Sequence, residues 1–126
     1  MKLLIDTHAL IWWLTDVDNL SRRARAAMQD PLNALYVSAV TGYEIELKRS
    51  RDPLLGRLPL DLETAVLDEG FMWLSVTPGD AVAAGRLPLH HRDPWDRLLI
   101  AQALQAGMPV VSTDERLAPY GTSLIW

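Results

Sequence analysis

The chain has 126 residues and a formal net charge of -4 at pH 7, with 49% hydrophobic and 22% charged residues. This length predicts a single domain covering residues 1–126 and excludes a cofactor domain joined to a substrate domain. The composition excludes disorder and coiled coils, and the absence of cysteine excludes disulfide scaffolds, cysteine-ligated zinc and thiol nucleophiles.

The predicted elements alternate between strands and helices. In chain order they are strand 2–6, helices 8–15 and 22–29, strand 35–37, helices 39–49 and 62–69, strand 71–76, helices 78–85 and 94–106, and strands 109–112 and 123–126. Short apolar runs indicate buried strands, whereas Ser21, Ser38 and Thr77 precede helices as caps. This order predicts an α/β fold with a mainly parallel central sheet flanked by helices on both faces.

The N-terminal apolar stretch has neither the length nor the purity of a membrane helix. Asp6 and His8 interrupt it, and Asp16 and Asp18 follow it. No small-residue cleavage site of a signal peptide comes after it. Together with the lack of cysteine, this predicts a cytoplasmic protein without a membrane partner.

Basic residues are concentrated in one part of the chain. Residues 21–57 contain seven basic side chains and four acidic ones, so the rest of the chain carries the excess of acids. Divalent cations bound by some of those acids would reverse the local field. The pI of about 5.2 therefore does not exclude a polyanionic substrate.

Four acids from remote segments are expected to meet at one edge of the sheet. Asp6 ends the first strand and Asp114 follows the fourth. Glu44 and Asp96 lie near the beginning of helices that start at the same edge. Ligands bind at the carboxyl ends of the strands in open parallel sheets, so this edge is the predicted functional site.

Helical spacing directs two of these acids inward. The residues that share the predicted apolar face of Glu44 are Val40, Tyr43 and Leu47. Those that share the face of Asp96 are Leu99, Ile100 and Ala103. An unpaired buried carboxylate is costly, so each acid should be protonated, paired or bound to a cation.

Each acid also has a structural interpretation. Glu44 has Lys48 four positions later, which allows an ordinary helix-surface ion pair. Asp93 precedes Pro94, the typical pattern of a cap, and a capping role is favoured for it. The other acids that could serve as caps or in a capping box are Asp6, Asp96 and Asp114. The functional interpretation rests on the convergence of all four acids.

Clustered carboxylates repel one another unless a cation neutralises them. Ligand sets made only of oxygen suit Mg²⁺ or Mn²⁺, which also retain water molecules for a phosphate substrate. A bound ion lowers the pKa of its water and stabilises an in-line displacement at phosphorus. The acids therefore predict metal-dependent phosphodiester hydrolysis.

Other chemistries lack their required residues. Lys2 and Lys48 are the only lysines and no P-loop motif is present, which excludes a P-loop nucleotide hydrolase. No dinucleotide-binding glycine motif occurs. The histidines at 8, 90 and 91 do not have the spacing of a closed zinc site, and the loop 90–92 is expected to contact phosphate instead.

Four segments carry a family resemblance. They read LLIDTHALIWWL, SAVTGYEIELK, LPLHHRDPWDRLLIAQA and VVSTD. Together, and in this order, they resemble the PIN-domain family, specifically the VapC-type ribonuclease toxins of type II toxin–antitoxin systems. The resemblance covers almost the whole chain and implies a PIN-like fold.

The resemblance also assigns site residues. The positions that match the family's acidic quartet, which holds Mg²⁺ or Mn²⁺ and activates water against RNA, are Asp6, Glu44, Asp96 and Asp114. Asp93 matches an additional acid of one motif variant and is a further candidate metal ligand. Thr7 and Thr113 match hydroxyl positions that orient acids or water. The candidate contacts to substrate phosphate are Arg92, Arg97, Thr7 and Thr113.

The implied function is that of a metal-dependent endoribonuclease, the toxin of a VapBC-type module. The implied partners are RNA, a second copy of the chain in a homodimer, and a cognate VapB-like antitoxin that blocks the acidic groove. The alternative is a non-catalytic PIN-like module that binds RNA or protein and retains the acids only structurally. Dependence on a metal ion separates the two interpretations.

Overall fold

A five-stranded sheet organises the computed structural model, which describes residues 1–126. The strands are β1 (Lys2–Ile5), β2 (Ala34–Ser38), β3 (Met72–Leu74), β4 (Val110–Val111) and β5 (Leu124–Ile125). Their order is β3-β2-β1-β4-β5, and every neighbouring pair is parallel. This confirms the predicted α/β class.

Six helices connect the strands. They are α1 (Thr7–Thr15), α2 (Arg22–Gln29), α3 (Ala39–Lys48), α4 (Leu62–Asp68), α5 (Pro78–Arg86) and α6 (Pro94–Ala106). The predicted caps are confirmed, because the side chains of Ser21, Ser38 and Thr77 each accept a backbone N–H of the helix that follows. No helix has the length and apolar character needed to cross a bilayer.

The structure shortens four predicted strands and adds short 3-10 helices. The predicted strands 2–6, 71–76, 109–112 and 123–126 reduce to β1, β3, β4 and β5, because regular parallel pairing covers only those residues. The 3-10 helices are Val17–Asn19, Leu55–Arg57 and Glu115–Tyr120.

The two faces of β1 enter two different cores. Leu3 and Ile5 belong to a large cluster that includes residues of α1, α2 and α4. Leu4 belongs to a second cluster together with Leu99 and Ile100 of α6. Alternate side chains of a strand point to opposite faces, so helices cover both faces of the sheet as predicted.

Strand order reverses at β1, which places a crevice there. After β1 the chain builds β2 and β3 on one side and returns to build β4 on the other. Leu4 accordingly pairs with Tyr36 on one side and Val110 on the other. Asp6 follows β1 and Asp114 follows β4, so both acids lie at this topological switch point.

Helix α3 buries a different face from the one predicted. The buried side chains are Val40, Thr41, Glu44 and Ile45. Tyr43 and Leu47 are instead 57% and 46% exposed, so their assignment to the buried face is wrong. The helix contacts α1, β2 and α6 through its other flank, which still leaves Glu44 inside the protein.

Candidate active site

All four predicted acids line one cavity at the carboxyl edge of the sheet. The cavity has a volume of about 130 Å³, and Leu117 is the only apolar residue among those that line it. A larger groove of about 520 Å³ lies beside Tyr43 and Trp73. That groove is lined mainly by apolar side chains and contains none of the four acids, so we place the candidate site in the smaller cavity.

Asp6 caps α1 and also lines the cavity, so it can be both a helix cap and a candidate metal ligand. Its Oδ1 accepts a 2.7 Å hydrogen bond from the Ala9 N–H, which caps α1. Burial raises the pKa of this carboxyl above its usual value, although hydrogen bonds from Ser112 and Ala9 act in the opposite direction. Capping uses one oxygen, so the carboxylate can still take part in a metal site.

Glu44 is held by a chain of hydroxyl groups and by one cation. The Thr7 hydroxyl donates to its Oε1 at 2.8 Å. Since Thr7 donates there, the Thr41 hydroxyl, 3.1 Å away, donates to Thr7. Lys48 Nζ lies 2.7 Å from Glu44 Oε2. The helix ion pair and the inward orientation therefore coexist.

Asp96 is the acid most strongly affected by its neighbours. Burial and the nearby carboxylates of Asp93, Asp114 and Glu44 raise its pKa to about 6, with His91 opposing them. Its Oδ2 lies 2.8 Å from His91 Nε2. No lysine or arginine pairs with it, so this carboxylate lacks a full cationic partner.

Asp114 is paired with an arginine that the sequence analysis did not identify. Arg116 Nε and Nη2 lie 2.9 and 2.8 Å from Asp114 Oδ1 and Oδ2. These hydrogen bonds lower the pKa of Asp114. Asp114 also accepts the Arg116 backbone N–H and so caps a 3-10 helix.

Asp93 is a helix cap, as its structural interpretation predicted. Its Oδ1 accepts the N–H groups of Trp95 at 2.8 Å and of Asp96 at 3.4 Å. The residue borders the cavity, where its charge contributes to the raised pKa of Asp96. Capping uses only Oδ1, so Asp93 can also take part in a metal site through its other oxygen and remains a candidate ligand.

Two of the four candidate phosphate contacts are buried and hydrogen-bonded inside the protein. Thr7 is buried and its hydroxyl donates to Glu44, which fits the predicted role of orienting an acid and leaves this proton unavailable to a phosphate. Arg97 is also buried, and its guanidinium donates four hydrogen bonds to backbone carbonyls. Thr113 and Arg92 are exposed, and Thr113 lines the cavity.

The expectation that loop 90–92 contacts phosphate also needs correction at one residue. His91 is only 5% exposed and lies beneath the acids, 3.7 Å from Asp114 Oδ2 as well as close to Asp96. Nothing local in the sequence separates this buried histidine from the exposed His90 beside it. Its role depends on how the loop packs under α6.

The donor set fits a hard divalent cation. Glu44 and Asp114 have cationic partners, whereas Asp6 and Asp96 have no lysine or arginine and both have raised pKa values. One group of possible ligand atoms, all within 4.8 Å of one another, comes from His91, Asp96 and Asp114. Asp6 and Glu44 line the same cavity outside that group. Several carboxylates that lack neutralisation are what an Mg²⁺ or Mn²⁺ site requires.

Comparison with known proteins identifies the family of this chain and a curated relative. The PIN domain family model matches residues 3–121. Ribonuclease VapC22 of Mycobacterium tuberculosis is 30% identical over 115 residues, which cover 90% of this chain and 88% of that protein.

Solved structures share the fold at low sequence identity. FitAcB from Neisseria gonorrhoeae aligns with a TM-score of 0.65 and 18% identity, covering 97% of this chain and 95% of the other. VapBC2 from Rickettsia felis, bound to a DNA fragment from its promoter, aligns with a TM-score of 0.66 and 12% identity, covering 98% and 97%.

Proposed function

The chain belongs to the PIN-domain family, among the VapC-type ribonucleases, and we propose that it hydrolyses RNA phosphodiester bonds as the toxin of a toxin–antitoxin module. One observation carries the proposal most directly. Asp6, Glu44, Asp96 and Asp114 come from four separate segments and line a single cavity. Two of them, Asp6 and Asp96, lack a lysine or arginine partner and have raised pKa values.

The proposed cofactor is Mg²⁺ or Mn²⁺, held by the four acids of the cavity. When bound, such an ion lowers the pKa of a coordinated water and stabilises negative charge at the reacting phosphate. Asp6 and Asp96 are the ligands without a competing cation. Glu44 and Asp114 act directly or through water.

The other side chains around the cavity position the acids or face the substrate. Thr7 fixes one oxygen of Glu44 by a buried hydrogen bond. Lys48 and Arg116 are partly exposed cations paired with Glu44 and Asp114. If those carboxylates were bound to a divalent ion, Lys48 and Arg116 would be available to contact RNA phosphates. Arg92, on the exposed loop before α6, is a further phosphate contact.

The proposed partners follow from the family and from the surface. A cognate VapB-like antitoxin would cover the acidic cleft with a basic side chain, since the cavity is rich in carboxylates. A homodimer is supported by the exposed apolar residues Tyr43 and Leu47 on α3. We also propose that the protein acts in the cytoplasm.

The test is cleavage of a total RNA pool in the presence of Mn²⁺, with the new ends mapped by sequencing. The protein is compared with Asp96→Asn and with Asp68→Asn, a matched change of an exposed acid at the end of α4. We expect discrete cuts by the parent and by Asp68→Asn, lost on chelation and absent with Asp96→Asn. Identical patterns from all three would reject the proposal in favour of a non-catalytic RNA- or protein-binding module.

A further inference from the structure

The histidine beneath the acidic cavity has a position that the proposed function does not yet use. His91 is buried, and its Nε2 lies 2.8 Å from Asp96 Oδ2 and 3.7 Å from Asp114 Oδ2. We propose that His91 is a positioning residue, which orients the Asp96 carboxylate through an N–H group and does not itself bind the metal ion. The inference rests on the proposed metal-dependent function of the same site.

The hydrogen bond on the other side of the ring determines which nitrogen carries the proton. The backbone N–H of Asp93 donates to His91 Nδ1 at 3.2 Å, so Nδ1 presents a lone pair there. A neutral imidazole has one N–H, which must therefore be at Nε2. Histidines that bind a metal through Nε2 usually donate from Nδ1, and this arrangement is the reverse. Nε2 thus faces the carboxylates as a donor.

The backbone of His91 is fixed on both sides. Its N–H donates to the Tyr120 hydroxyl at 2.7 Å, and that hydroxyl donates to the Pro88 carbonyl at 2.7 Å. Arg97 Nη1 donates to the His91 carbonyl at 3.2 Å and to the Pro88 carbonyl at 2.9 Å. These contacts do not involve the imidazole, so a change of the side chain leaves the loop anchored.

The Nε2 atom is buried and makes no aligned hydrogen bond, although an acceptor lies within reach. The Asp96 oxygen is close but lies off the direction of the N–H, and the Asp114 oxygen is too distant. A small rotation of the Asp96 carboxylate would align its Oδ2 with this donor. Asp114 is already held by Arg116 through both of its oxygens. The donor therefore acts on the orientation of Asp96, whose other oxygen stays free for an ion.

Groups that orient ligating side chains typically contribute about 10-fold to 100-fold to metal affinity. We expect His91→Leu to weaken Mn²⁺ binding by that factor. His91→Gln keeps an amide N–H near the position of Nε2, and it should bind Mn²⁺ within about 5-fold of the parent if that donor accounts for the effect. His91→Asn keeps an acceptor near Nδ1 and lacks the donor near Nε2, so it should bind as weakly as His91→Leu.

The experiment measures Mn²⁺ affinity of the full chain by titration calorimetry, for the parent and these three variants, with Asp68→Asn as the exposed control. Circular dichroism and thermal unfolding in EDTA confirm that each variant folds. Pulsed electron paramagnetic resonance of the bound Mn²⁺ reports whether a nitrogen ligates the ion, and we expect none. RNA cleavage is measured in parallel.

Each alternative gives a different pattern. If His91→Asn keeps the Mn²⁺ affinity of the parent and His91→Gln does not, His91 only supports the loop through Nδ1. If His91→Leu binds Mn²⁺ as tightly as the parent, the His91 side chain only fills space in the core. A nitrogen ligand in the resonance spectrum would make His91 a metal ligand. Any of these overturns the inference while leaving the ribonuclease proposal intact. A parent protein that binds no Mn²⁺ would overturn both.

Discussion

Glu44 Oε1 accepts a 2.8 Å hydrogen bond from the Thr7 hydroxyl, across 37 positions of the chain. Thr7 is the first residue of α1, directly after Asp6, and Glu44 lies on α3. The hydrogen bond thus joins α1, which follows Asp6, to α3, which carries Glu44. It fixes one oxygen of Glu44 while Lys48 contacts the other.

Loss of this hydrogen bond should reduce catalysis more than it reduces stability. Thr7→Val keeps the shape of the side chain but leaves Glu44 Oε1 without its donor. We expect RNA cleavage to fall about 10-fold, the equivalent of about 1.4 kcal/mol. Single-turnover cleavage at saturating Mn²⁺ measures the effect. Thr7→Ser, which retains the hydroxyl, should remain close to the parent, and equal defects in the two variants would contradict the assigned role.

Asp6 allows its capping and catalytic roles to be separated. Asparagine also caps helices well, whereas loss of a capping side chain costs about 1 kcal/mol. Asp6→Asn and Asp6→Ala should both abolish metal-dependent cleavage, but only Asp6→Ala should lose stability in chelator by about that amount. Urea unfolding in EDTA gives the comparison. If Asp6→Asn keeps metal-dependent cleavage and only Asp6→Ala loses it together with stability, capping is the main role of this acid.

The raised pKa of Asp96 predicts how stability depends on pH. The ordinary value of 3.8 rises to about 6 in the folded protein, so between these values the folded state binds a proton that the unfolded chain does not. The contribution of Asp96 to the stability of the metal-free protein is therefore greatest below about pH 4 and is lost as the pH rises through about 6.

Asp96→Asn should remove this loss. At pH 7.5 in EDTA the variant should be more stable than the parent by about 1–2 kcal/mol, the part of such a shift that remains after solvent screening. At pH 4 the two proteins should have nearly equal stability. Urea unfolding at both pH values tests the difference, and a gap that does not change with pH would rule out this cause. Mn²⁺ should stabilise the parent at pH 7.5 but not the variant.

Two arginines near the site are expected to have different roles: Arg97 stabilises the fold, and Arg92 contacts RNA. Arg97 is buried and donates to four carbonyls, and lysine cannot reproduce that fork. Arg97→Lys should therefore lower the free energy of unfolding by about 2–4 kcal/mol. Arg92→Lys, at an exposed position, should leave stability within about 0.5 kcal/mol.

Removal of the Arg92 charge tests its phosphate contact. In a catalytically inactive form of the protein, Arg92→Ala should weaken the binding of RNA. It should also reduce the dependence of RNA binding on salt concentration, since one phosphate contact is lost. Fluorescence anisotropy with labelled RNA at several salt concentrations measures both. An unchanged salt dependence would exclude a direct contact by Arg92.

Much of the site could be predicted because its acids carry local signals. Asp6 and Asp114 follow short apolar runs, and the carboxyl ends of parallel strands share one edge of a sheet. The inward direction of Asp96 followed from helical spacing, since Leu99 and Ile100 on its face are buried. The cap at Asp93 followed from the proline after it.

The remaining features depend on contacts that local sequence does not contain. The buried face of α3 was misjudged because Tyr43 and Leu47 are apolar yet exposed, and only the packing of the helix decides this. His91 is buried by Tyr120, 29 positions later, and by Arg97 on α6. Arg116 reaches Asp114 only through the turn of a short 3-10 helix, a segment for which no helix was predicted.

The most direct test of the central claim is the chemistry of the RNA ends. One RNA that the protein cuts is incubated with Mn²⁺ in water enriched in oxygen-18, and the ends are analysed by mass spectrometry. Attack by an activated water predicts one oxygen-18 atom in the terminal phosphate, no 2′,3′-cyclic phosphate, and no product with Asp96→Asn. Unlabelled cyclic phosphate ends would show attack by the ribose hydroxyl and would contradict water activation by the four acids.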